Sequence, residues 1–144
     1  VTVEKPVHGW ELEAIAAEQG VPLDAGDALL VHCGREAYAS AGAGAFGDNG
    51  ANAGLHASCL PFIRDHDFAL LGWDMTDAAP NEYGLPSTIH GIIYAYGVPI
   101  LDNALLGPLA RVAAEEGRYE FMLTINPLVA VGATGSPVNP IAVF

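Results

Sequence analysis

Apolar positions along the chain fall into short runs whose period keeps switching. Between Val7 and Gly20 they recur at helical spacing, with Trp10, Ala14 and Ala17 on one face and Gly20 as a stop, which predicts a helix. "ALLVHCG" (Ala28–Gly34) is a continuous apolar run ending in glycine and predicts a buried strand. The pair repeats as a helical pattern over Leu55–His66 and a strand over Phe68–Asp74. It repeats again as "TIHGIIYAY", capped by Ser87 and stopped by Gly97, followed by the strand "VPILDNA". "LLGPLARVAAEEG" predicts a further helix, and "RYEFMLTINPLVAV" a long strand broken at Pro127. The polar turn "GATGSPVNP" and a terminal strand "IAVF" close the chain. Helices alternating with continuously apolar strands argue for an α/β protein, a mixed sheet with flanking helices, organised as one domain over 1–144. Residues 38–54, with five glycines and six alanines, offer almost nothing bulky to pack. They are expected to form a Gly/Ala-rich mobile loop or lid, with a linker as the alternative.

Composition adds a surface to this pattern. Of 144 residues, 51% are hydrophobic and only 15% charged, at a mean hydropathy of +0.32. No apolar run approaches the ~18 residues of a spanning helix, so the excess points to a core and to homo-oligomeric interfaces, a dimer or tetramer. The net charge of −12, from 17 acidic against 5 basic residues, argues against nucleic acid and anionic membranes as partners. Cys33 and Cys59 have no CxxC spacing, so a disulfide framework is not expected and a reducing, cytoplasmic setting is. No secretory or transit segment opens the chain, and it begins at Val1 close to a helix. A processed, trimmed or incomplete chain is therefore expected.

The familiar catalytic motifs GxSxG, a P-loop, HExxH and an EF-hand loop are absent. Five histidines remain. His8 is expected in solvent, His56 on a helix surface, and His66 as a helix-end charge. His32, in an apolar strand beside Cys33, is expected to be a neutral core histidine. His90 and Asp102 stand twelve positions apart in "IHGIIYAYGVPILDN". A helix followed by an adjacent strand can return the two to one sheet edge. Imidazole plus carboxylate suits Zn²⁺, Mn²⁺ or Fe²⁺, but such a pair is more often a structural hydrogen bond. Two ligands also leave a first-row metal short of its usual three or four. Thr134 and Ser136 carry turn chemistry.

Four stretches together suggest a family. "GRYEFMLTINPLVAVGATGSPVNPIAVF", "DAGDALLVHCGRE", "GLHASCLPFIRDHDFALLGWD" and "IHGIIYAYGVPILDN" resemble the C-terminal portion of the putative cyclase family, metal-dependent hydrolases that include bacterial kynurenine formamidase and isatin hydrolase. The resemblance implies a swivelling β/β/α (cyclase-like) fold, incomplete at the N-terminus. It implies hydrolysis of an amide or small cyclic amide, a small-molecule substrate, by water activated on a divalent metal, zinc or manganese. By position, His90 stands at the family's later metal-site histidine and Asp102 at its acidic ligand, where formamidase-like members carry Glu. The family's His-x-Gly-Thr-His-x-Asp-x-Pro element, which supplies most ligands, is absent, so the chain alone is expected to be inactive and its catalytic residues are not assigned. The alternative is a non-catalytic α/β oligomerisation or small-molecule-binding module. Cysteine catalysis through Cys33 and His32 ranks lower, because adjacent strand residues face opposite ways.

Overall fold

The computed structural model describes residues 1–42, 50–85 and 87–144. Helix α1 (Gly9–Gln19) begins at His8, whose backbone N–H donates to Glu11 Oε2 at 2.8 Å, and ends at Gly20 in the left-handed region. It is followed by β1 (Ala28–Val31), α2 (Arg35–Ser40), β2 (Gly54–Leu55), α3 (Cys59–Asp65), β3 (Leu70–Trp73) and β4 (Thr76–Asp77). A 3₁₀ turn (Ile89–Gly91) runs into α4 (Ile92–Ala95). Then come β5 (Ile100–Leu101), α5 (Gly107–Glu116), β6 (Met122–Thr124) and β7 (Ile141–Val143). Among the described residues no helix is long and apolar enough to cross a membrane.

The strands form three small sheets where one mixed sheet was expected. β1, β3 and β5 make a parallel sheet in that order, with Leu29 opposite Leu71 and Gly72 opposite Leu101. β2 and β4 pair in parallel, and β6 pairs antiparallel with β7. One core, with Leu55, Ile63, Leu71, Trp73, Ile89 and Ile92 fully buried, gathers residues of β2, β3, α3 and the 89–92 segment. A smaller cluster of Leu101, Ala104 and Leu106 packs with Leu30, Leu70 and Leu109.

Two glycines are fixed by close approach. A Cβ on Gly9 would lie 2.6 Å from the Ser58 carbonyl oxygen, so this glycine lets α1 meet the start of α3. A Cβ on Gly54, at φ +151°, would fall 1.6 Å from the Thr76 carbonyl oxygen of the paired strand.

Several expectations need correcting. α1 buries Gly9 and Leu12, while Trp10, Ala14 and Ala17 are exposed, because packing on α3 selects the side that glycine leaves open. The long strand over 118–131 shrinks to Met122–Thr124, since only β7 pairs with it. Of the loop expected over 38–54, Tyr38–Ser40 belong to α2 and Gly54 to β2. Residues 43–49 lie outside the described residues.

Candidate metal centre

β4 ends at Asp77, and this carboxylate organises the segment carrying His90. Its Oδ2 accepts the backbone N–H groups of Ile89 (3.0 Å) and His90 (3.2 Å), the orphan donors that open the 3₁₀ turn. Ser87 was expected to cap this turn; a carboxylate from a neighbouring strand does so instead. Asp77 Oδ1 also lies 2.8 Å from His90 Nδ1. A carboxylate only accepts, so Nδ1 carries the proton and the neutral ring keeps its lone pair on Nε2.

That lone pair faces Asp102, whose Oδ2 lies 3.5 Å from Nε2. Asp102 follows β5, which runs parallel beside β3, so strand and turn bring the two residues to one edge. A proton on Nε2 would pair with this carboxylate, and the two atoms could also share a cation. Burial pulls the His90 pKa down, but the hydrogen bond and charge of Asp77, with the charge of Asp102, outweigh it and the pKa is raised. Trp73 sets its ring edge-on to the imidazole, with centroids 5.3 Å apart. Both side chains remain open to solvent, at 37% and 48% exposure.

The donor set can be tested against a metal. Two ligands each about 2.1 Å from a tetrahedral ion stand about 3.4 Å apart, which the 3.5 Å separation of Nε2 and Oδ2 fits. Asp77 supplies the carboxylate that fixes the tautomer and orientation of a ligating histidine. His90 and Asp102 alone give two of the three protein ligands typical of catalytic zinc.

The one group of three potential ligand side chains within 4.8 Å of one another among the described residues lies elsewhere: His32, Glu36 and Asp74. His32 Nε2 lies 3.6 Å from Asp74 and 3.9 Å from Glu36, and the group could hold a metal ion. Asp74, however, is buried and already accepts the N–H groups of Cys33 (2.6 Å), Gly34 (3.0 Å) and Arg35 (3.1 Å) at the start of α2. Binding metal there would compete with those three bonds. Sequence patterning missed the role of this aspartate, and it put His32 in the core where it is exposed.

The other histidines are also redistributed. His56, expected on a surface, is buried: Ser58 N–H donates to its Nδ1 at 3.1 Å, leaving Nε2–H to donate to Glu82 at 2.8 Å. His8, expected in solvent, is half-buried, stacked on Trp10 at 4.1 Å with its Nδ1 3.0 Å from Ser58 Oγ. His66 does close the end of α3, its Nδ1 lying 3.0 Å from the Phe62 carbonyl oxygen. Cys33 and Cys59 are buried and free; burial pushes both thiols up, Cys59 to about 12. Burial and the neighbouring Asp74 carboxylate thus disfavour a Cys33 thiolate.

No protein-family model and no curated protein matches the chain. A solved structure described as a novel cyclase superposes on it with a TM-score of 0.78 at 29% sequence identity, over 97% of this chain and 47% of that one. The chain thus has a cyclase-like α/β fold and spans about half the length of the solved cyclase it matches.

Proposed function

We propose that this chain carries part of a metal-dependent hydrolase acting on an amide or small cyclic amide. In this reading His90 and Asp102 are two of its metal ligands, and polypeptide outside these 144 residues supplies the rest. The observation that carries it is the Nε2 lone pair held 3.5 Å from a carboxylate, in a fold shared with a cyclase. The same separation matches the spacing of two ligands on one tetrahedral ion.

When bound, zinc or manganese would supply an activated water and polarise the substrate carbonyl. The chain's own part is positional. Asp77 keeps the proton on Nδ1 and turns Nε2 outward. Trp73 walls the ring on one side, and Asp102 contributes a negative charge at the rim. No general acid or base is assigned among these residues.

Zn²⁺ or Mn²⁺ titration of the purified chain, followed calorimetrically, tests the ligand assignment without an activity assay. His90→Ala should remove binding and Asp102→Ala should weaken it at least tenfold. Binding unchanged in His90→Ala would refute the assignment. Amide hydrolysis should appear only when a segment supplying the other ligands is present.

A further inference from the structure

β1 is an edge strand: β3 bonds one side, and among the described residues no strand pairs with the other. Parallel sheets are ordinarily covered on both faces, and sheets most often have about four to six strands. Beside β1 opens a groove of about 610 Å³, walled by Leu23, Leu29, Leu109, Tyr119, Phe121 and Leu123. The β6–β7 hairpin stands beside it with only two strands, an arrangement that is marginal in water without further cover. Its cross-strand pair Met122 and Val143 is 60% and 46% exposed, and Val129 and Val131 in the connecting loop are fully exposed.

Charge singles out the same face. The 24 residues from Phe121 to Phe144 contain no Asp, Glu, Lys, Arg or His, in a chain whose net charge is −12. A face built for water would share that charge. An unpaired strand edge beside a largely apolar groove and an uncharged hairpin is built for cover.

The size of the missing cover is indicated by the solved cyclase, in which the region matching this chain makes up 47% and more than half of the polypeptide remains. A second copy of this chain fits less well, since it would bring another −12 charge against the first. We propose that the outer edge of β1, the groove and the β6–β7 hairpin form the docking surface for a β-forming polypeptide segment equivalent to that remaining part of the cyclase fold. The segment adds a strand to β1 and covers the hairpin. The inference rests on the proposed function for the identity of the segment, and it names where that segment attaches.

The test co-expresses this chain with the part of the solved cyclase lying outside the match, in the presence of EDTA. Docking is then read independently of metal ligation. Native mass spectrometry should show a one-to-one complex. Amide hydrogen exchange should slow at least tenfold at 28–31, 122–124 and 141–143. Leu29→Lys and Met122→Lys should each weaken the complex at least tenfold; Met122 is exposed in the free chain, so its variant folds. The absence of a complex, protection confined to other segments, or a homodimer protecting these strands would each overturn the proposal.

Discussion

Replacing Asp77 by Asn separates the electrostatic from the steric part of the candidate centre. The carboxylate receives three donors: Ile89 N–H at 3.0 Å, His90 N–H at 3.2 Å and His90 Nδ1–H at 2.8 Å. Asparagine offers one acceptor oxygen and one NH₂ group. If the NH₂ faced the backbone, two N–H groups would lose their acceptor, at about 1–3 kcal/mol each. If it faces the imidazole, the oxygen keeps both backbone donors and only the ring must change. The second arrangement wins. His90 then accepts at Nδ1 and carries its proton on Nε2, where it points at Asp102. Exchanging charge-assisted for neutral bonds at this partly exposed site costs about 1–2 kcal/mol of stability. Losing the orienting carboxylate lowers metal affinity about 10- to 100-fold. Long-range ¹⁵N–¹H correlation spectra, recorded well above the raised His90 pKa, report which ring nitrogen is protonated. The expected result is a switch from Nδ1–H to Nε2–H together with weaker zinc binding. An unchanged tautomer with unchanged affinity would refute the role given to Asp77.

Three further outcomes follow. His90 has a raised pKa, so in the metal-free chain its ion pairs stabilise the fold fully below the ordinary value of 6.5 and this contribution fades as pH rises through the folded value; urea midpoints across that window should fall in the wild type and stay flatter in Asp77→Asn. Cys59, raised by burial from 9.0 to about 12, should react with iodoacetamide at pH 8 about 10³-fold more slowly than a free thiol, and above pH 9 the stability should decline because the unfolded chain loses that proton first; labelling as fast as in the denatured chain would contradict this. Gly54→Ala forces a Cβ to 1.6 Å from the Thr76 carbonyl oxygen, so it should destabilise by at least about 3 kcal/mol in denaturant melts, and a loss under 1 kcal/mol would show that the β2–β4 register is not held as described.

What was legible from sequence followed period and punctuation. The apolar runs ending in glycine or aspartate located β1, β3 and β5, and the positive-φ glycines Gly20 and Gly117 ended α1 and α5 where helical spacing stopped. The His90–Asp102 pair was visible because a helix followed by a strand brings its ends together. Asp74 and Asp77 were not visible as organising groups: each acts across strands on backbone N–H groups 39–41 and 12–13 residues away, and no local pattern marks an acceptor for distant donors. The histidines were misplaced for a related reason. His56 looked like a surface residue because helical phase predicts burial only against a known neighbour, and its neighbours, His8 and Glu82, come from elsewhere in the chain. The face formed by β1 and the hairpin read as ordinary buried strands, since apolar patterning cannot say whether the covering layer belongs to the same 144 residues.

The central claim is that His90 Nε2 and Asp102 face one another as ligands. Electron spin-echo modulation of Mn²⁺ added to chain labelled with ¹⁵N-histidine measures this directly. The account predicts coupling to one imidazole nitrogen, lost in His90→Ala and retained in His32→Ala. Coupling that survives in His90→Ala and disappears in His32→Ala would move the metal to the His32, Glu36 and Asp74 group and contradict the claim.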